Sequence, residues 1–161
     1  MVTHDQEEAF AFADKIGVIH RGKLEHWDVP FNLYHQPQSR FVANFIGQGV
    51  FIPGFLRTPN SIETELGVLQ SKHDFSWQNN SAVEVLIRPD DIVEDKSSQF
   101  HGEVINKIFA GTSTLYTLQL ETGSKIEAAL ASHDDFDIGE KIHFKVEADH
   151  IIAFPLNEES N

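Results

Sequence analysis

An alternating pattern of apolar residues lies near the middle of the chain, in the stretch Val83-Glu84-Val85-Leu86-Ile87-Arg88-Pro89-Asp90. Val83, Val85 and Ile87 occupy every second position, which is the period of a β-strand with one buried face. The polar Arg88-Pro89-Asp90-Asp91 that follows is expected to fix the end of this strand. The middle of the chain is therefore predicted to be β-structure.

The same period of two continues toward the C-terminus. Tyr116, Leu118 and Leu120 alternate, and the turn residues 121–124 lead into a further alternating run. The remaining predicted strands carry Ile126, Ala128 and Leu130, then Ile142, Phe144 and Val146, then the stretch 151–154. Polar segments at 71–81 and 94–99 are expected to be loops. Together these features predict a small all-β unit after Gly49.

Helical spacing dominates before Gly49. Ala9, Phe12, Ala13 and Ile16 are spaced as one stripe of an amphipathic helix, which we expect to begin just after His4. Thr3 with Gln6, or Asp5 with Glu8, has the spacing of a capping box. Residues 17–27 are expected to form two strands that turn at Arg21-Gly22. Two short helices should follow, one entered at Pro30 and one capped by Ser39, with the apolar face Phe41, Val42, Phe45 and Ile46.

Composition excludes several classes of function. The 25 acidic and 12 basic residues give a formal charge of −13, which opposes binding to a phosphate backbone, so no nucleic-acid partner is expected. The absence of cysteine excludes disulfides and thiolate metal sites. No apolar run approaches the roughly 20 residues of a membrane-spanning helix, so any membrane association is expected to come through a partner.

The N-terminal segment resembles a known family. Val2-Thr3-His4-Asp5-Gln6-Glu7-Glu8-Ala9 is followed in order by Ala13-Asp14-Lys15-Ile16, Arg21-Gly22-Lys23-Leu24, Pro30 and Phe41-Val42-Ala43-Asn44-Phe45-Ile46-Gly47. This series is similar to the end of the nucleotide-binding domain in the ATPase subunits of maltose, polyamine, sulfate and ferric-iron ABC importers. Val85-Leu86-Ile87-Arg88-Pro89-Asp90 is similar to a strand and turn of their regulatory domain. The stretch 47–53 and the ending Phe154-Pro155 look most like the ferric-iron group.

The resemblance implies a mainly β fold in two parts. Residues 1–47 would be the α-rich C-terminal end of an α/β nucleotide-binding domain. Residues 48–158 would form a small antiparallel β-barrel of the oligonucleotide-binding type, the TOBE regulatory domain. The implied function is regulation and dimerisation of an importer ATPase that couples ATP hydrolysis to uptake of ferric iron. Its implied partners are a second ATPase subunit and the permease subunits, at the cytoplasmic face of the membrane.

His4 is the candidate catalytic residue under this resemblance. In the family, the histidine at this position contacts the γ-phosphate and helps to place the attacking water, and a turn before a helix suits such a donor. The chain contains no phosphate loop of the G-x-x-x-x-G-K-[ST] type, no signature motif and no strand ending in Asp-Glu. In the family these precede the histidine, so they are expected before residue 1. The chain itself is expected to hold no cofactor and to hydrolyse no ATP, whereas the full-length parent would bind ATP and Mg²⁺.

Three other groups of residues have both a functional and a structural interpretation. His133, Asp134, Asp135 and Asp137 suggest a hard-metal site, but a solvated acidic loop is favoured because the loop lacks the glycine and closing glutamate of an EF-hand. Residues 111–114, Gly-Thr-Ser-Thr, suggest an oxyanion site, as in related molybdate importers, but a hairpin turn is favoured. The aromatic residues Trp27, Phe31, Tyr34, Phe41 and Phe45 suggest a ligand-binding strip, but packing is favoured.

Two further expectations concern assembly. Arg88, Pro89 and Asp90 are the candidates for a contact with another subunit. Residues 1–46 carry apolar side chains that need cover, so they are expected to pack on the β domain or to exchange with a second copy in a homodimer. The alternative function is that of a separate β domain that senses a small anion.

Overall fold

The fold was obtained as a computed structural model, which describes residues 2–156. The expected end of the β domain at residue 158 lies outside the described residues. The chain divides after Gln48 into two compact units. In the described part of the chain, no helix is long and apolar enough to cross a bilayer.

The first unit combines three short helices with a β-hairpin. Its elements are α1 (Gln6–Phe12), β1 (Ile16–His20), β2 (Lys23–Asp28), α2 (Pro30–His35) and α3 (Arg40–Ile46). The hairpin turns at Arg21 and Gly22, whose φ angles of 49° and 77° are both positive. Two positive φ angles in a two-residue turn match the twist of the strands that it joins, which confirms the predicted hairpin.

Side-chain caps begin two of these helices. The backbone N–H of Glu8 donates to Oδ1 of Asp5 at 3.0 Å, so Asp5 is the cap of α1, as one of the two predicted pairs required. Ser39 Oγ accepts from the N–H of Val42 at 3.2 Å, which confirms the predicted cap of α3. Pro30 occupies the first turn of α2, where a missing N–H costs nothing.

The predicted apolar stripe of α1 is wrong. The helix ends at Phe12, whose side chain is 80% exposed, and Ile16 already belongs to β1. Ala13 takes an extended conformation and its N–H closes the last turn on the carbonyl of Ala9. Because the helix stops two turns after it starts, Phe10 rather than Phe12 packs against the small core of this unit. That core consists of Val18, Leu33, Val42 and Ile46.

The second unit is an all-β structure. Its strands are β3 (Val50–Thr58), β4 (Ser61–Thr64), β5 (Gly67–Gln70), β6 (Ala82–Ile87), β7 (Ile92–Glu94), β8 (His101–Phe109), β9 (Ser113–Gln119), β10 (Lys125–Ala131), β11 (Lys141–Val146) and β12 (Ile152–Pro155). They form two five-stranded antiparallel sheets in the orders β10-β9-β8-β11-β7 and β12-β6-β3-β4-β5. A mainly β, antiparallel fold is thus confirmed, whereas closure into a barrel stays a prediction.

Both sheets of this unit contribute to one hydrophobic core. The fully buried side chains include Leu56 and Ile62 from one sheet and Tyr116, Leu118 and Phe144 from the other. Every second residue of β9 and β10 is buried, as the alternation in the sequence predicted. The turn at 121–124 joins these two strands, and Gly123 has the positive φ of 90° that this turn requires.

Candidate regulatory site

The segment Arg88–Asp91 carries the chain from one sheet of the second unit to the other. β6 ends at Ile87 in the sheet β12-β6-β3-β4-β5, and Pro89–Asp91 forms a single 3₁₀ turn. β7 then joins the sheet β10-β9-β8-β11-β7 beside β11. The turn packs against β10. It therefore fixes where the two sheets meet.

Hydrogen bonds from backbone N–H groups hold this turn closed. Asp91 Oδ2 accepts from the N–H of Arg88 at 2.8 Å, and the N–H of Asp91 donates to the carbonyl of Arg88 at 3.0 Å. The carbonyl of Asp91 accepts from the N–H of Glu147 at 2.8 Å, beyond the end of β11. The turn is thus closed on itself and anchored to the residue that follows β11.

A glycine is required next to the end of β6. A Cβ atom at Gly49 would lie 2.7 Å from the Leu86 side chain and 2.9 Å from the carbonyl oxygen of Ile87. Because contacts this short do not occur for real Cβ atoms, the chain can pass here only as glycine. The close approach sets the register in which Val50 pairs with Ile87.

The predicted contact residues differ in exposure. Arg88 and Pro89 are buried within the second unit, while Asp90 is exposed. Arg88 and Pro89 are thus enclosed in the sheet crossover, and of the three residues only Asp90 presents its side chain to solvent. A role for the three residues in contact with another subunit stays a prediction.

Asp91 is the titratable group with a raised pKa in this turn. Burial of its carboxyl raises the pKa of Asp91 from 3.8 to about 6, against the lowering effect of the hydrogen bond from the N–H of Arg88. The neighbouring charge of Asp90 also raises it. The turn consequently contains a carboxyl that changes charge just below neutral pH.

His4 is exposed and lies in a bend directly before the cap of α1. The hydroxyl of Thr3 donates to Glu8 Oε2 at 2.7 Å and accepts from the N–H of Asp5 at 3.0 Å, which fixes the backbone on both sides of the imidazole. The ring is thus available to a group outside this unit. Contact of His4 with a γ-phosphate stays a prediction.

The acidic loop at 133–137 is organised by a lysine that sequence analysis missed. Lys107 Nζ donates to Asp135 Oδ1 at 3.0 Å, to the carbonyl of Phe136 at 3.0 Å and to Asp137 Oδ1 at 3.4 Å. The hydrogen bond to Asp135 is the main reason why the pKa of Lys107 is raised. Asp135 and Asp137 are thus paired with the ammonium group of Lys107, so this loop is an ion-paired turn. No pattern in the sequence links Lys107 to residues so far along the chain.

Residues 111–114, the second group with two interpretations, lie in a hairpin. Gly111, with a φ of 85°, lies in the turn between β8 and β9, and the N–H of Ala110 donates to the carbonyl of Ser113 at 2.9 Å. Residues 111–114 therefore belong to the hairpin that was favoured over an oxyanion site.

In the first unit, Phe41 stacks on His20 with ring centroids 3.8 Å apart and is partly buried.

The packing interpretation of the aromatic residues holds only in part. Tyr34 and Phe41 pack against the small core, but Trp27, Phe31 and Phe45 are exposed by 58%, 58% and 45%. The reason is the small size of this unit, since α2 and α3 share a narrow buried face. The exposed rings leave an apolar surface on the first unit.

Comparison with known proteins identifies the second unit. The pattern of the TOBE domain family matches residues 85–154. Most of the second unit thus matches the TOBE domain family, and the unit is called the TOBE domain after this match. The match runs from the middle of β6 to β12, so the Arg88–Asp91 turn, the Lys107 contacts and the whole sheet β10-β9-β8-β11-β7 belong to it.

Relatives align along almost the whole chain. It is 29% identical over 94% of its length to the spermidine/putrescine import ATP-binding protein PotA of Pseudomonas aeruginosa, covering 47% of that protein. It is 33% identical over 95% of its length to the Fe(3+) ions import ATP-binding protein FbpC of Fusobacterium nucleatum, covering 43% of it. The PotA protein of Mesomycoplasma hyopneumoniae is 34% identical over 93% of the chain, which covers 33% of it. The chain is thus homologous to the C-terminal region of ABC importer ATPases and spans less than half the length of these relatives.

A solved structure supports the fold of the TOBE domain. The crystal structure of the cytoplasmic molybdate-binding protein ModG with molybdate bound has a TM-score of 0.54 and covers 65% of this chain and 94% of its own. Sequence identity is 13%, so the likeness concerns the fold alone.

Proposed function

We propose that the chain is the regulatory and dimerisation region of the ATPase subunit of an ABC importer. The observation that carries this proposal is the length of the alignment. The relatives match 94–95% of the chain, so the match extends over most of both units. A separate β domain would account for the second unit only.

In this proposal the chain has no ATPase activity of its own. The residues that bind most of the nucleotide and Mg²⁺ belong to the rest of the parent, and His4 supplies a hydrogen-bond donor to the γ-phosphate there. Its exposure beside the first turn of α1 suits a group that acts across an interface. The permease subunits and a second ATPase subunit are the partners, at the cytoplasmic face of the membrane.

Ferric iron is retained as the proposed cargo of the parent importer. Support comes from the stretch 47–53 and the ending Phe154-Pro155 in the sequence. Overall identity does not separate the two cargo classes, because the iron and polyamine relatives are 33% and 29–34% identical. Uptake of radiolabelled iron and of spermidine by cells that carry the whole importer would distinguish them. Uptake of spermidine alone would overturn the iron assignment.

The dimer contact can be tested through the exposed residue of the sheet crossover. The chain contains no cysteine, so Asp90→Cys introduces a unique thiol. We expect this variant to form a disulfide-linked dimer under mild oxidation, while Lys96→Cys, at a side chain that is 88% exposed, serves as the control and stays uncrosslinked. Equal crosslinking of both variants, or a monomeric mass at high concentration, would contradict a contact at Asp90.

Anion sensing is the second candidate, favoured by the fold that the TOBE domain shares with a molybdate-bound protein. Calorimetric titration with molybdate, sulfate and phosphate tests it directly. Tight binding in a fixed ratio by the chain would favour the sensor over the regulatory region. Sustained ATP hydrolysis by the purified chain in the presence of Mg²⁺ would refute both.

A further inference from the structure

Two histidines face each other across neighbouring strands of the TOBE domain. His101 begins β8, His143 lies in β11, and the two are direct partners in the antiparallel register. Their ring centroids are 5.2 Å apart, with an angle of 38° between the rings. An ion bound at about 2.0–2.1 Å from two imidazole nitrogens lies about 3 Å from each ring centre, so these rings are close enough to share one ion.

Backbone carbonyls set the orientation of both rings. His143 Nδ1 lies 2.8 Å from the carbonyl oxygen of Ser98, and His101 Nδ1 lies 3.4 Å from that of Gln99. On His101 the carbonyl contact is long and the carboxylate of Glu121 lies 3.2 Å from Nε2, so this nitrogen must give up any proton that it shares with Glu121 before it binds an ion. A carbonyl oxygen can only accept a hydrogen bond, so Nδ1 of His143 carries the proton and the neutral ring of His143 keeps its lone pair on Nε2. Metal-binding histidines have this same arrangement, in which the second nitrogen donates to a backbone carbonyl.

Two charged groups approach the same nitrogen of His101. Glu121 Oε1 lies 3.2 Å from His101 Nε2, and the Glu121 side chain is 80% exposed, so it can rotate toward an ion. Lys141 Nζ lies 3.4 Å from the same Nε2, so its ammonium group competes with an ion for the lone pair. The carboxylate favours a cation at this position and the lysine opposes it.

We propose that His101 and His143, with Glu121 as third ligand, bind a divalent transition-metal ion such as Zn²⁺. Within residues 2–156, no group of three His, Asp or Glu side chains already encloses an ion position. Binding therefore requires Glu121 to rotate and Lys141 to move aside, and water completes the coordination. Imidazole ligands favour Zn²⁺ over Mg²⁺ or Ca²⁺, which prefer oxygen ligands alone.

Zinc titration of the full chain by calorimetry tests the proposal, with ZnCl₂ as the probe and MgCl₂ as the comparison. We expect saturable binding of one Zn²⁺ and none of Mg²⁺. His101→Gln and His143→Gln should each weaken zinc binding about tenfold or more, since even the outer partners of metal ligands contribute 10–100-fold. His133→Gln, at an exposed histidine of the acidic loop, is the matched control and should leave binding unchanged.

Lys141→Gln separates a metal site from a merely structural histidine pair. Removing the competing ammonium should tighten zinc binding several-fold, while Glu121→Gln should weaken it. Thermal unfolding without zinc checks that each variant is folded. Zinc binding that is absent, that survives the double variant of His101 and His143, or that falls equally in His133→Gln would overturn the proposal.

Discussion

Replacing Asp91 by asparagine should change how the stability of the TOBE domain depends on pH. Burial raises the pKa of Asp91 from 3.8 to about 6, which corresponds to roughly 3 kcal/mol of folding free energy at most. The folded state binds the proton more tightly than the unfolded chain, so this contribution is complete below pH 3.8 and is lost as the pH rises through about 6. Asp91→Asn cannot ionise, and its amide oxygen can still accept from the N–H of Arg88.

The free energy of unfolding of Asp91→Asn, relative to the unchanged chain, should therefore increase between about pH 4 and pH 6 and then level off. At pH 7 we expect the variant to be more stable by about 1–3 kcal/mol. Asp90→Asn removes the neighbouring negative charge that also raises the pKa of Asp91, so it should give a smaller change of the same sign.

Urea unfolding followed by the fluorescence of Trp77 measures these values. Trp77 stacks on Phe75 and packs against the core of the second unit, and Trp27→Phe in every sample removes the other tryptophan. Asp74→Asn, at an exposed loop residue, is the control. Its free energy of unfolding should change with pH in the same way as that of the unchanged chain. If the free energies of unfolding of Asp91→Asn and of the unchanged chain change equally from pH 4 to pH 7, Asp91 is not a buried carboxyl with a raised pKa.

Three further changes test the packing and the caps. Tyr116→Phe should destabilise the second unit by about 1–3 kcal/mol in urea unfolding, because the buried hydroxyl donates to one backbone group of the acidic loop and accepts from another. Gly54→Ala should cost about 1–3 kcal/mol in the same assay, since the new Cβ would lie 2.8 Å from Ile62 and 2.9 Å from a backbone oxygen. Ser39→Ala removes the hydrogen bond to Val42 and should lower the stability of the first unit by about 1 kcal/mol, measured by hydrogen exchange of α3.

Five strands of the second unit, β6 and β9 to β12, could be predicted from the sequence because their pattern has a period of two with one buried face, whereas β3, β4, β5, β7 and β8 were not predicted. Tyr116 and Leu118 alternate with half-exposed residues, and this decides both the strand and the side that it buries. Local turns were equally predictable, since Gly123 and the Arg21-Gly22 pair occupy positions where φ is positive. These signals lie within a few residues of the element that they determine.

The pairing of strands could not be predicted, because it depends on residues far apart in the chain. β11 lies between β8 and β7, although neither precedes it directly, and the Arg88–Asp91 turn moves the chain between sheets. The contacts of Lys107 with the acidic loop and of His101 with His143 follow from that pairing. Each member of these pairs is unremarkable by itself in the sequence.

The first unit should be less stable than the TOBE domain. Its core cluster holds four buried hydrophobic residues among those described, against nineteen in the second unit. Phe12, Trp27 and Phe31 are exposed by 80%, 58% and 58%. Because burial of apolar surface is the main source of stability, the small cluster should open more often.

Limited trypsin digestion and hydrogen exchange measure this difference. Cleavage after Lys15, Arg21 and Lys23 should precede cleavage at the lysines of β8 to β11, and the amides of α1 and β1 should exchange faster than those of β9. If the first unit is instead as protected as the second, its exposed rings must be covered, either by the second unit of the same chain or by a second copy. A dimeric mass by light scattering would then support exchange of residues 1–46 between copies, and a monomeric mass would contradict it.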